Sequence, residues 1–392
     1  MRILFLTPRF PYPPLKGDSL RTYHQLRVLS RDHQITLLSM ADAPVAPEDH
    51  ARVATLCERV VVVPLPRWRV AVNLGTGLAV RQPLQVRYYQ APAFARRLAA
   101  LLAGERFDVI HATLIRMLPY VWGVGTPPVA VDLIDSLSLN LADRRNQVRG
   151  VKRVAYELEY RRVCDYERAV VRHFPALVVS SPADQQELGG NGITVIPNGV
   201  DVDRFAFGGA AGRDAATLIF TGNMGYHPNE EAVLWFAAEV WPRLRANRPA
   251  LHFQVVGTNP TDRVRALAAT PGIEVLGRVP DVGDCLRQAT VAVCPMRSGS
   301  GIQNKVLEAM AAGTPVVATA IANRGVQGVP DRDLLVADSP AGFAAAVDRA
   351  LDDPALAERL RQAGRGFVER EFRWEQHGAR LATIYASIQG AH

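Results

Sequence analysis

Residues 291–319 read Val291-Ala-Val-Cys-Pro-Met, then Arg297-Ser-Gly-Ser-Gly-Ile-Gln-Asn-Lys-Val-Leu-Glu-Ala-Met-Ala-Ala-Gly-Thr-Pro-Val-Val-Ala-Thr319. Val291–Cys294 is a short apolar run of the kind buried in a parallel sheet. Ser300 followed by Gln303 has the spacing of a capping box, which predicts a helix starting near Gly301. Ile302, Val306 and Met310 recur every four residues and form its buried stripe. Gly313 followed by Pro315 ends the helix, and Val316–Ala318 is the next strand. Strand, helix and strand in succession define a β-α-β unit.

The same stretch carries candidate chemistry. Gly299, Ser300 and Gly301 let backbone N–H groups approach a ligand closely, and a helix start favours an anion. Arg297 precedes the turn and Lys305 lies one turn inside the helix, so together they can neutralise a diphosphate. Glu308, three residues beyond Lys305 on the same face, can accept two hydrogen bonds from a vicinal diol such as a ribose. The plainer reading is a capped helix with a surface Lys–Glu pair, worth a few tenths of a kcal/mol.

Working outward, the alternation continues in both directions. Apolar runs at residues 2–7, 35–39, 60–64, 107–111, 129–133, 176–180 and 194–196 read as strands, with a helix over 19–31. A second series has strands at 217–221, 252–257, 273–276, 291–294, 316–318 and 334–336. Its helices fall at 230–245 and 264–269. The pattern predicts an α/β protein of two doubly wound, Rossmann-like domains facing an interdomain cleft, where ligands of such sheets sit. The boundaries are 1–200 and 201–373, and the last helix, over 374–388 within 374–392, crosses back to the first domain. The turn Pro197-Asn-Gly-Val-Asp201 and the small residues 207–212 mark the junction.

Composition removes several classes. The 392 residues, 48% of them hydrophobic, suit two globular domains rather than a disordered chain. No apolar run is long enough for a membrane span, and the first strand is too short for a secretory signal. Cys57, Cys164, Cys285 and Cys294 lack the spacing of a disulfide framework or zinc site, which makes the cytoplasm the default compartment. Neither G-x-G-x-x-G nor a P-loop occurs, disfavouring a dinucleotide dehydrogenase and a P-loop ATPase. Much of the net charge of +7 sits in residues 144–172, where nine Lys+Arg face four acids. Val148, Val151, Val154 and Leu158 recur among them. This segment fits a helix on an anionic membrane or a solvated face with internal ion pairs. It lacks interleaved aromatics at the reading positions of a nucleic-acid binder.

Four stretches are together specific: Phe10-Pro-Tyr-Pro-Pro-Leu-Lys-Gly-Asp-Ser-Leu-Arg-Thr-Tyr-His24, Thr221-Gly-Asn-Met-Gly-Tyr-His-Pro-Asn229, Gly277-Arg-Val-Pro-Asp-Val282 and Gly301-Ile-Gln-Asn-Lys-Val-Leu-Glu-Ala-Met310. Through them the chain resembles retaining glycosyltransferases of family 4, with the GT-B fold. It is most similar to sugar transferases of exosortase (PEP-CTERM) and exopolysaccharide loci. The resemblance implies that 1–200 binds the acceptor and 201–373 the nucleotide sugar. It places Gly17, with Asp18 and Arg21 behind it, in a loop near the donor phosphate and transferred sugar. It gives Glu308 the ribose, and it sets Gly257, Arg278 and the Val279 backbone beside the base. Ile302 falls within the matched donor motif.

The departures are equally specific. A first family glutamate would fall at Ser300, so no carboxylate mechanism operates there. Asn223 and Asn229 stand where many relatives have an Arg and a Lys for the diphosphate, which leaves the charge to Lys305, Arg297 and the helix dipole. Asp135 occupies the place of a catalytic histidine and can bind sugar hydroxyls or the acceptor, or serve as a helix cap. His111 ends another strand pointing at the same cleft.

The implied reaction is transfer of a hexose from a UDP- or GDP-sugar with retention. No metal or other cofactor is expected. The acceptor is a glycan, a lipid-linked molecule or a small molecule. Residues 144–172 leave peripheral contact with the inner face of the membrane as one reading beside a solvated helix face, and nucleic acid is not expected. Two alternatives share the fold: a nucleotide-sugar epimerase or hydrolase, and a nucleotide-sugar-binding scaffold without turnover.

Overall fold

The structure is a computed structural model and describes residues 1–77, 80–190, 192–208, 217–299 and 301–390, without the side chains of 143, 144, 146 and 147. Two compact units emerge, Met1–Pro197 with Trp374–His392, and Asn198–Arg373.

The first unit is built on β1 (Arg2–Thr7), β2 (Gln34–Ala41), β3 (Arg59–Pro64), β4 (Val109–Thr113), β5 (Val129–Ile134), β6 (Ala176–Val179) and β7 (Ile193–Val195). All pair in parallel, in the order β3-β2-β1-β4-β5-β6-β7. Alternate residues of β1 serve opposite faces. Ile3 and Phe5 pack with Leu26 of the helix Gly17–Leu29 and with Leu381 and Tyr385 of the C-terminal helix Trp374–Gln389. Leu4 and Leu6 pack with Phe94, Leu98 and Leu118. Both faces are therefore covered, as an all-parallel sheet requires.

The second unit repeats the plan with β8 (Thr217–Thr221), β9 (His252–Val256), β10 (Ile273–Gly277), β11 (Val291–Cys294), β12 (Val316–Ala318) and β13 (Leu335–Val336). These parallel strands run in the order β10-β9-β8-β11-β12-β13. The single helix expected over 230–245 is three pieces: His227–Trp235, a π turn Phe236–Val240, and Trp241–Asn247. Pro242 explains the break, since it offers no N–H and its ring collides with the carbonyl four residues back. No helix among the described residues is long and apolar enough to cross a membrane.

A buried polar network ties the first unit together. Arg21 Nε and Gln25 Nε2 donate to Asp132 Oδ2 at 2.6 and 2.7 Å, and the Arg21–Asp132 pair is fully buried. Burial opposes the Asp132 charge, but Arg21, His111 and these hydrogen bonds hold its carboxyl below the usual range. Arg21 thus anchors its helix to β5 instead of facing a ligand. His111 is corrected as well: it lies mid-strand in β4, fully buried, stacked on Phe5 at 4.2 Å and hydrogen-bonded through Nδ1 to the Tyr385 hydroxyl at 2.7 Å. The strand starts two residues later than apolarity suggested, with Asp108 fastened to Arg2 at its foot. His111 therefore docks the C-terminal helix.

Burial, reinforced by Arg21 and opposed by Asp132, pushes His111 down from 6.5 to about 4. Between those values the unfolded chain binds a proton that the folded chain does not. This group's contribution is present above pH 6.5 and is lost as pH falls toward 4, by up to about 1.4 kcal/mol per pH unit. Calorimetric melting of wild type and His111→Gln from pH 7 to 4.5 should give a shallower acid loss in the variant. Parallel curves would contradict this role.

Candidate functional site

In the second unit the strand order reverses between β8 and β11. Such reversals send neighbouring connections to opposite faces and leave a crevice at the carboxyl ends of the strands. The segments entering this one are 222–229, which ends in the first turn of the helix His227–Trp235, and 295–299 with 301–303.

Two glycines let the loops after β8 and β9 meet. Gly222 N–H donates to Val256 O at 3.0 Å, and Gly257 N–H to Gly277 O at 2.7 Å. Gly257 has φ +145°, and a Cβ there would lie 1.6 Å from the Gly222 carbonyl oxygen. A Cβ on Gly222 would strike the Asn229 amide at 2.8 Å.

Asn229 is buried and held by its Nδ2 on the Asn223 carbonyl at 2.9 Å, so its Oδ1 accepts from Lys305 Nζ at 2.7 Å. The Asn223 side chain caps its own loop, accepting from Gly225 N–H at 3.0 Å. Lys305 Nζ also reaches Gln303 Oε1 at 3.1 Å and Met296 Sδ at 3.6 Å, above the Phe220 ring. Burial, against the opposing influence of Cys294 and Glu308, draws the Lys305 ammonium below its ordinary value. The asparagines thus aim the lysine.

The helix begins at Asn304, later than the capping box predicts, and runs to Ala311. Gly299 and Gly301 take φ of +120° and +71°, keeping the chain in a turn. Gln303 precedes the helix without a side-chain cap, its Oε1 being taken by Lys305. Ser300 lies outside the described residues. Gly299 O accepts from Arg324 at 3.0 Å, and Ile302 is half-buried against the second-unit core.

Glu308 is half-buried and accepts no hydrogen bond from the described side chains. Burial pushes its carboxyl up, with Arg204 and Lys305 acting oppositely. An unfilled carboxylate one helical turn from an ammonium suits a polyol that also carries phosphate. Arg204 was not foreseen, because it lies in the junction after Val202, far from the motif in sequence.

Other candidates disperse. Arg297 does not join Lys305: its guanidinium lies 4.9 Å over the Trp235 ring and donates to the Asp338 carbonyl at 3.2 Å. Arg278 is exposed, and Val279 packs partly on the core. In the first unit, Gly17 is the exposed first residue of its helix, and Asp18 is ion-paired with Arg9.

Asp135 follows Ile134, whose φ of +66° is unusual for a β-branched residue. Ser180 Oγ donates to the Asp135 carboxylate at 2.9 Å. Burial first, then Asp184, push this carboxyl up to about 6, in the range useful for proton transfer. Ser136, not Asp135, caps the following helix, accepting from Leu139 N–H at 3.3 Å.

Comparison with known proteins fits this arrangement. Residues 19–204 match the family model Glycosyltransferase Family 4, and residues 215–353 match Glycosyl transferases group 1. The chain is a family 4 glycosyltransferase of the GT-B fold. A glycogen synthase of Mycobacterium tuberculosis is 27% identical, the match covering 99% of this chain and 95% of that protein. A phosphatidyl-myo-inositol mannosyltransferase of the same species is also 27% identical, over 76% of this chain and 79% of the other. Among solved structures, sucrose-phosphate synthase from Thermosynechococcus elongatus covers 100% of both chains with a TM-score of 0.74 at 17% identity. HepE of Anabaena in complex with UDP has a TM-score of 0.69 at 13% identity, covering 99% of this chain and 100% of the other.

Gly257→Ala should destabilise the second unit by more than about 2 kcal/mol, through both the collision and the positive φ. Urea denaturation of wild type and variant checks this, and an unchanged midpoint would contradict the close approach.

Proposed function

We propose that this glycosyltransferase moves a hexose from a UDP- or GDP-sugar to a glycan or lipid-linked acceptor, with retention, in polysaccharide or glycoconjugate synthesis. The observation that carries the donor reading is Glu308, an unfilled carboxylate one turn from Lys305 at the β8/β11 reversal. In this reading Glu308 accepts from the ribose hydroxyls. Lys305, held by Asn229 and Gln303, lies beside the diphosphate, with the backbone N–H groups of Gly299, Gly301 and Ile302 as further donors. The loops at Gly257 and Arg278–Val279 flank the base. Relatives of this fold bound to UDP and UDP-glucose support the donor class.

The chemistry asks for little else. The diphosphate is a good leaving group once its growing charge meets preorganised donors. The acceptor oxygen bonds to the anomeric carbon as the bond from that carbon to the phosphate oxygen breaks. The departing phosphate takes the acceptor proton, so no carboxylate nucleophile and no metal is required. Asp135 is assigned to the acceptor hydroxyls.

The proposed membrane contact rests on the helix Val151–His173. Arg145 and Arg161 pair with Glu157, Arg162 with Glu159, and Arg168 with Asp165. Arg149, Lys152 and Arg153 are exposed and form no ion pair among the described residues. Beside them Val151, Val154 and Leu158 are 87, 70 and 53% exposed. Cations at a helix start oppose its dipole, and this first turn has no acid. An anionic lipid surface satisfies both the charges and the valines.

Glu308→Ala should weaken UDP binding about 10- to 100-fold by isothermal titration, matching the loss of hydrogen bonds to a charged group, and should largely abolish transfer. Unchanged affinity would remove the ribose role. Nucleotide release without sugar transfer would favour the hydrolase alternative. Flotation with anionic vesicles at low salt should recover the wild type but much less of Lys152→Glu/Arg153→Glu. No flotation of the wild type would contradict the membrane contact.

A further inference from the structure

The first unit has its own reversal of strand order, between β1 and β4. The helix after β1 covers one face of the sheet and Leu118, after β4, the other. A crevice at the carboxyl ends of these two strands follows from the topology. It is furnished with charge. Arg9 follows β1, and Arg116 follows β4.

Arg116 lies 5.0 Å over the Tyr89 ring and donates to Gln85 Oε1 at 3.0 Å, with no carboxylate partner among the described residues. Arg9 is paired with Asp18. The Tyr89 hydroxyl, raised by burial, also feels Arg116, Arg9 and Asp18, which brings all four groups into one neighbourhood. Two cations and one acid thus act on the same hydroxyl. Leu114, two residues before Arg116, has φ +67°, and Ile134 at the end of the adjacent β5 has φ +66°. Bulky residues in this conformation are strained, and such strain is concentrated where side chains are being placed for function.

We propose that this crevice binds an oxyanion carried by the acceptor, a phosphate or a carboxylate, through Arg9 and Arg116. The planar Arg116 guanidinium, preset on Tyr89, offers a forked face to such a group. The proposal rests on the transferase reading, in which the first unit receives the acceptor. It narrows the acceptor class from any hydroxyl compound to an anionic one.

The test uses the full chain saturated with UDP, so that the donor site is occupied. Glucose 1-phosphate, glucuronate and methyl glucoside are then titrated in turn. At least one charged sugar should bind at least tenfold more tightly than the neutral one, and which of them does so identifies phosphate or carboxylate. Arg116→Gln and Arg9→Gln should each lose tenfold or more of that affinity, with UDP affinity within twofold of wild type. Arg116→Lys, which keeps the charge, should restore part of it. Charged sugars binding no better than methyl glucoside, or binding undiminished in both Gln variants, would overturn the proposal. Failure of UDP to bind the wild type would overturn the donor reading, and it is measured separately.

Discussion

Adjacent parallel strands normally send their connections the same way around a sheet. Where the order reverses, at β8/β11 and again at β1/β4, the two connections diverge and the strand ends between them stay uncovered. The proposed chemistry of the chain grows from that constraint. In the second unit the diverging loops carry Asn223 and Asn229 on one side and Gly299 to Lys305 on the other. In the first they carry Arg9 and Arg116. The strands are otherwise largely apolar, with Asp132 and His111 buried to dock helices, and they hold those ends in place.

Holding them in place has its own requirements. The close approach of Gly222 and Gly257 leaves no room for a Cβ and brings Asn229 against Lys305. An ammonium has three protons, and the neighbours of Lys305 present three acceptors, from Asn229, Gln303 and Met296. The lysine is consequently ordered without a ligand, and in the proposed reaction little reorganisation is left for the moment of binding. Glu308 differs, since its carboxylate has charge neighbours but no donor among the described residues. In the first unit the Arg21–Asp132 pair and the His111–Tyr385 hydrogen bond fix the helices behind β1 and β4.

The strands were legible because residues buried on both faces read as apolar runs, and β1, β8, β11 and β12 fall at the residues that apolarity predicts. The helix at Asn304 was not placed correctly, because a capping-box spacing says nothing about the positive φ of Gly299 and Gly301, which keeps both out of a helix. His111 was misread because a strand edge shifted by two residues turns a strand-end histidine into a core one. Arg297 was grouped with Lys305 by nearness in sequence, whereas Trp235 and Asp338, which engage it, are distant in sequence. Asn229 was visible only as a missing cation. Its role in aiming Lys305 depends on the Asn223 carbonyl, a backbone contact with no side-chain signature. Arg204 beside Glu308 and Arg116 beside Tyr89 are likewise products of the fold.

The central claim is that the β8/β11 reversal holds the nucleoside diphosphate. A crystal structure of the chain with bound UDP tests it most directly. The account predicts the ribose hydroxyls within hydrogen-bond distance of Glu308 and a phosphate oxygen beside Lys305 and the backbone of Gly299, Gly301 and Ile302. UDP lying away from Glu308, with Lys305 still bound only to Asn229, Gln303 and Met296, would contradict it.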